Sequence, residues 1–292
     1  MPATPGRLMT QREFAQHMFA MLANGLRGDV SDMNGFVDQF SVDAELWLPP
    51  TANTCSPYRG RESIRSLLVN FVAPLYPAGL RLTLYGMLTA PGRVLFQFED
   101  KGTHRDGSVY RNSPCIALGL DGTQITSFHE YWGGPGFFSP SFAATATGDD
   151  VDAAANAVAI AACAELRCGL AGDAAALQAF LARLAPDVRL WFPPTPNTRS
   201  PYVGVSAATQ LFRDLLVPMY PAGLHSKLFH TLAAGTRTAF ELQSYGRRAD
   251  GSEYCNSPCL CLDISDGRIR TLWEHWGGPG FFEPVTSAAV TG

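Results

Sequence analysis

Glu130 and Glu274 are the residues best suited to chemistry. Each opens a stretch that occurs twice, Glu130 to Phe138 (EYWGGPGFF) and Glu274 to Phe282 (EHWGGPGFF), at an offset of 144 residues. On a β-strand, residues two apart share a face, so Glu130 lies between Phe128 and Trp132, and Glu274 between Leu272 and Trp276. A carboxyl in an apolar wall is poorly solvated. Its pKa should rise, which suits it to exchange protons near neutral pH. The competing reading is a structural buried acid bonded to backbone amides.

The sequence also marks possible helpers. One half carries Gln97-x-Glu99 and the other Glu241-x-Gln243, an acid and an amide with their places exchanged. If that face lines a cavity, Glu99 joins Glu130 and Glu241 joins Glu274, and two nearby acids split their pKa values into an acid and a base. If it is solvated, the exchange carries no chemistry. Asn112 and Asn256 are amides in apolar strands and need partners, one option being the glutamate of the adjoining strand. Tyr58 and Tyr202 follow proline-stiffened loops and either orient a substrate or cover the core; Asn53 and Asn197 in those loops read as backbone-bonding turn residues. The tryptophans Trp47, Trp132, Trp191 and Trp276 complete the expected apolar, substrate-binding wall.

Elements that would position these residues follow from periodicity. Phe14, Met18, Met21 and Leu22 recur at helical spacing over about 11–26, and a second helix is expected from Ser31 or Asp32 through Phe36 and Phe40. A strand enters at 45–48, and a third helix spans about 61–72 before Pro74 and Pro77. Alternation then takes over: strands at 80–89, 93–100, 110–120 and 124–132, with an Asp106-Gly107 hairpin turn. Helices followed by a meander read as an α+β layer. Residues 139–150 read as a linker, after which the pattern restarts with helices at about 151–170 and 174–184. Pairing 43–138 with 187–282 without a gap gives 43 identities in 96 positions. That is a duplication, expected as two domains, 1–142 and 143–292, packed as a fused pseudo-dimer.

Composition narrows the class. The 292 residues are 46% hydrophobic and 16% charged, with net charge −4 and pI near 5.9. A folded chain is expected, without nucleic-acid binding. No signal peptide and no membrane-spanning stretch stand out. Seven cysteines, an odd count, read as reduced thiols in a cytoplasmic protein, and the local group Cys255, Cys259 and Cys261 lacks a second pair at zinc-ligand spacing, so no metal is expected.

The blocks W-x-P-P (Trp47 to Pro50) and P-Y-x-G (Pro57 to Gly60), present in both halves, with a meander closing on a D-G turn, an isoleucine and E-x-W (Asp121-Gly122, Ile125, Glu130 to Trp132; Asp266-Gly267, Ile269, Glu274 to Trp276), resemble the NTF2-like superfamily in its SnoaL-like branch. The resemblance covers nearly the whole chain, once per half. It implies two tandem cones, each a curved antiparallel sheet with three helices around an apolar pocket. It also implies cofactor-independent chemistry by pocket carboxylates on an apolar small molecule: cyclisation, isomerisation or dehydration in specialised, including antibiotic, biosynthesis. Non-catalytic small-molecule binding and epoxide hydrolysis or cyclisation are the alternatives. Carried over by position, the last-strand acids are Glu130 and Glu274. The Arg-x-Asp pair of the epoxide hydrolases falls where this chain has Gln97-x-Glu99 and Glu241-x-Gln243, without the arginine.

Overall fold

The structure is a computed structural model and describes residues 9–51, 54–138, 146, 150–195 and 198–284. It is an α+β fold built around one curved, mixed sheet of 14 strands. The first half contributes α1 (Gln11–Arg27), α2 (Val30–Asp38), β1 (Phe40–Trp47), β2 (Tyr58–Arg59), α3 (Arg61–Arg65), β3 (Arg81–Ala90), β4 (Arg93–Thr103), β5 (Val109–Asn112), β6 (Cys115–Asp121) and β7 (Gln124–Tyr131). The second repeats the order with α4 (Ala153–Leu170), α5 (Ala174–Ala182), β8 (Leu184–Trp191), β9 (Tyr202–Val203), α6 (Gly204–Gln210), β10 (Leu224–Ala234), β11 (Arg237–Arg247), β12 (Glu253–Asn256), β13 (Pro258–Ser265) and β14 (Arg268–Trp276).

Local chemistry sets these boundaries. Thr10 and Glu13 form a capping box at α1, and Gly28, at φ 119°, closes it. Asp29, Asp152 and Asp173 cap α2, α4 and α5. The second helix stops at Asp38 rather than continuing through Phe40. Phe40 instead opens β1 and stacks edge-on against Phe36. α3 continues as a π-helix over Ser66–Val72, and α6 likewise over Leu211–Leu216. The expected strand 110–120 is broken into β5 and β6 at Ser113-Pro114, because proline cannot donate to the ladder.

The sheet is not purely antiparallel. β1 runs parallel to β7, and β8 parallel to β14. In each half the helices cover one face of the sheet. That face buries Phe96, Phe98 and Phe128 in the first half and Phe240, Leu242 and Leu272 in the second. The opposite face, with Leu95, Ala117, Ala239 and Trp273, buries itself between the halves. Fully burying a Leu or Phe side chain contributes ~1.5–3 kcal/mol. β3 and β10 meet at Thr89 and Ala233, joining the half-sheets.

The repeated W-G-G-P-G-F-F stretch makes the contact between halves reciprocal. A Cβ on Gly133 would lie 2.3 Å from the Ser113 carbonyl oxygen, and one on Gly277 2.4 Å from that of Ser257, so only glycine lets the chain fold back there. The turn then sends Phe137 and Phe138 against Trp191 and Trp273 of the other half, and Phe281 against Trp47 and His129. Trp132 and Trp276 exchange backbone hydrogen bonds of 2.7 Å. The domain boundary expected at 142/143 lies outside the described residues, as do Asn53 and Asn197. One expectation is corrected: by length and composition α4 is apolar enough to cross a membrane. Its buried face, including Ala159, Ala162 and Leu166, packs into the core of the second half.

Candidate active site

Glu130 and Glu274 lie on the helix-covered faces. Strand alternation puts Glu130 beside Phe128 on β7 and opposite Ile116 on β6; Glu274 sits beside Leu272 and opposite Leu260. Each carboxylate accepts a hydrogen bond from the indole two residues on: Trp132 Nε1 to Glu130 Oε1 at 2.9 Å, and Trp276 Nε1 to Glu274 Oε1 at 2.6 Å. Burial pushes both carboxyls up to about 7, with the indoles pulling the other way. The tryptophan thus fixes the carboxyl's orientation without ionising it.

In the second half the carboxyl opens onto a cavity of about 660 Å³. Its walls are mainly apolar, with Phe192, Phe212, Leu216 and Trp276; the polar groups include Tyr220, Tyr254, Arg248, Asp250, Thr195 and Thr198. The Arg248 guanidinium stands 4.9 Å over the Tyr254 ring.

In the first half a second acid joins the site, and it was not singled out from the sequence. Asp100, on β4, faces the same side as Phe96 and Phe98. It is 6% exposed, accepts a 3.3 Å hydrogen bond from the Tyr110 hydroxyl, and its Oδ1 has no hydrogen-bond partner. Burial and then the nearby Glu130 push its carboxyl up to about 7. Tyr76, His104 and Tyr110 stack beside it, with Tyr76 and His104 rings 4.8 Å apart. Burial likewise raises the phenols of Tyr76, to about 12, and Tyr110, keeping both as neutral donors at neutral pH. The position equivalent to Asp100 is Ser244, whose hydroxyl lies 2.8 Å from that of Ser226. The two sites therefore differ: two carboxyls in one, and in the other Glu274 with Arg248 and the exposed Asp250 at the rim.

Asn112 lies opposite Asp100 in the β4–β5 ladder, and Asn256 opposite Ser244, so the carboxylate facing Asn112 across the ladder is that of Asp100 rather than Glu130.

The expected pairing of Glu99 with Glu130 and of Glu241 with Glu274 is wrong. Along β4 and β11 the residues alternate, and Gln97, Glu99, Glu241 and Gln243 point to the opposite face of the sheet. Glu99 pairs with Arg111 and with Lys101 at 2.8 Å. Gln243 binds the amides of Phe282 and Glu283 at 3.3 and 3.1 Å. Glu241 and Gln97 explain the exchanged motif: each meets an arginine of the other half. Arg93 forms a two-pronged pair with Glu241, which also accepts from the Tyr131 hydroxyl at 2.5 Å. Arg237 donates to Gln97 at 3.1 Å. Burial disfavours the Glu241 charge, but Arg93 outweighs it and holds the carboxyl well below the usual range. Glu241 is a permanent anion in a structural pair.

Trp47 and Trp191 also leave the expected wall; their rings pack on Phe281 and Phe137 between the halves. The Tyr58 and Tyr202 hydroxyls accept from the amides of Cys55 and Arg199, both at 3.2 Å, which gives them a loop-bracing role.

No protein-family model matches the chain, and no curated protein is significantly similar to it in sequence. Solved structures are similar in fold. An NTF2-like protein from Anabaena variabilis aligns with 23% identity over 47% of this chain and 98% of that one, at a TM-score of 0.40. A SnoaL-like protein from Jannaschia sp. aligns with 13% identity over 44% and 90%, at 0.34. A protein with a ketosteroid isomerase-like fold from Catenulispora acidiphila aligns with 17% identity over 39% and 83%, at 0.33. The chain is thus similar to NTF2-like, SnoaL-like and ketosteroid isomerase-fold structures, each over somewhat less than half of its length.

Proposed function

We propose that this protein is a small-molecule acid/base enzyme, in which a half-buried, indole-held glutamate moves a proton on an apolar substrate in an isomerisation, cyclisation or dehydration. The observation that carries this reading is Glu274: a carboxyl on the wall of a 660 Å³, mainly apolar cavity, with its pKa raised to about 7. Such a group is part base and part acid at neutral pH, where proton transfer is most effective.

In the first half burial raises both Asp100 and Glu130, and the Glu130 charge further disfavours ionisation of Asp100. That pair suits a reaction in which one carboxyl takes a proton as the other gives one, with Tyr110 donating to a developing oxyanion. The second half, with Glu274 and Arg248, suits a one-carboxyl step or the holding of an apolar ligand that bears an anionic group. Pure ligand binding in that half is the second reading, and Ser244 in place of the second acid favours it. In this reading the halves form a fused pair, held by the reciprocal Phe contacts and the two arginine crossings.

Hydrogen–deuterium exchange tests the proposal. Enolisable apolar ketones are incubated in D2O with the full chain, and deuterium uptake is followed by mass spectrometry. The reading expects catalysed exchange that Glu130→Gln and Glu274→Gln lower separately, while ligand binding persists. Ligand binding without exchange in any ketone would establish the binding reading instead.

A further inference from the structure

The face between the halves brings together residues far apart in the sequence. Cys115 on β6 and Cys259 and Cys261 on β13 place their three Sγ atoms within 4.8 Å of one another. All three are fully buried. Cys259 and Cys261 share a strand face, and their sulfurs are 3.8 Å apart. Four ligands placed tetrahedrally at the zinc–thiolate distance of about 2.3 Å have neighbouring sulfurs ~3.8 Å apart. The pair already has the edge length of such a site.

A fourth group stands close by: its ring nitrogens lie outside the 4.8 Å within which the three sulfurs gather, and a turn of the imidazole toward them would complete the set. His275 lies directly opposite Cys259 in the β13–β14 ladder and is 0% exposed. Neither ring nitrogen has a hydrogen-bond partner, although buried imidazole nitrogens almost always have one. The Cys261 thiol adjoins the ring without the geometry of a formed hydrogen bond.

The duplication gives an independent comparison. Cys115 and Cys259 are equivalent positions, so their meeting follows from the reciprocal packing of the halves. Cys261 and His275 are departures from the repeat: the first half has Ala117 and Tyr131 there. Tyr131 is spoken for by Glu241, whereas His275 serves no such partner. The second half has thus added a sulfur and a nitrogen, both metal-ligating, at the point where two thiols already meet.

We propose that Cys115, Cys259, Cys261 and His275 bind one zinc ion, clamping the two halves together. Three thiolates and a neutral imidazole form a closed, four-ligand set of the structural kind, soft enough to prefer zinc over magnesium or calcium. Three thiolates, a neutral imidazole and Zn²⁺ leave the bound unit with a single negative charge. Because the site is closed to water, the metal enters as the chain folds, and its binding adds to folding stability.

The test measures metal on the full chain, purified anaerobically under reducing conditions. Elemental mass spectrometry should find about one tightly held zinc per chain. Refolding with Co²⁺ alone should give an intense sulfur-to-cobalt charge-transfer band and the d–d bands of a tetrahedral ion. Cys261→Ala copies the residue of the first half, so it should fold, with circular dichroism as the check, yet lose the metal or bind it at least tenfold more weakly. His275→Ala should shift the d–d bands. Replacing the exposed Cys55 and Cys168 should change nothing. The proposal is overturned if the reduced protein holds no metal and shows no charge-transfer band. It is equally overturned if Cys261→Ala leaves the band intact, or if freshly purified protein carries a Cys115–Cys259 disulfide.

Discussion

Replacing Glu274 by glutamine isolates the cost of a charge in the cavity. The amide keeps the shape of the side chain and can still accept from Trp276 Nε1, but it cannot ionise. The carboxyl ordinarily titrates near 4.5 and here near 7. At ~1.36 kcal/mol per unit, the full shift of ~2.5 units corresponds to ~3.4 kcal/mol between its two protonation states. Glu274 lines a cavity that water enters, so the expected effect is smaller, about 1–2 kcal/mol. The sign follows from proton counts. Between pH 4.5 and 7 the folded state holds the Glu274 proton more tightly than the unfolded state. The neutral carboxyl's contribution is therefore complete below about pH 4.5 and is lost as pH rises through 7. Urea unfolding from pH 4 to 9 should show Glu274→Gln matching the wild type at low pH and exceeding it by about 1–2 kcal/mol above pH 8. A difference that does not change with pH would refute the reasoning, because an ordinary, solvated carboxylate predicts that flat line.

Other consequences are equally direct. Arg93→Ala strands the Glu241 carboxylate in the interior and should cost ~3–5 kcal/mol in urea unfolding; Glu241→Gln strands the Arg93 guanidinium, which lacks the second carboxylate that Asp263 gives Arg237, and should cost a similar amount. Glu130→Gln removes the anion facing Asp100 and should lower the Asp100 pKa from about 7, read by carboxyl-carbon NMR. Trp276→Phe deletes the one donor that favours the ionised Glu274, so that carboxyl should titrate above 7 in the same experiment. Phe137→Ala opens a hole against Trp191 and His275 and should cost ~3–5 kcal/mol.

The sequence was informative where local pattern governs and silent where faces and partners decide. The helices, the hairpins, the apolar setting of Glu130 and Glu274 and the internal repeat all follow from spacing. The Gln97/Glu241 exchange was visible, but its meaning was not. Strand alternation already separates 97, 99 and 241 from the Phe96 and Phe240 face; what was missing was that the opposite face is also buried, against another half of the same chain. A face buried on both sides of a sheet shows no polar–apolar alternation. That also hid Asp100, which reads as the last residue before a turn until β5 pairs with it. Trp47 and Trp191 looked like pocket residues because a buried tryptophan next to a proline loop has the same signature in a cavity or an interface. The sulfur cluster was hidden for a simpler reason: Cys115 and Cys259 are 144 positions apart, and metal-ligand spacing rules see only neighbours in sequence.

The account stands most directly on the ionisation of the two indole-held glutamates. Infrared difference spectroscopy across pH, with Glu130→Gln and Glu274→Gln to assign the carboxyl bands, measures it in the intact chain. The account predicts titration near 7 for both residues. Titration of both near 4.5 would contradict the acid/base role and leave these sites as places that bind without reacting.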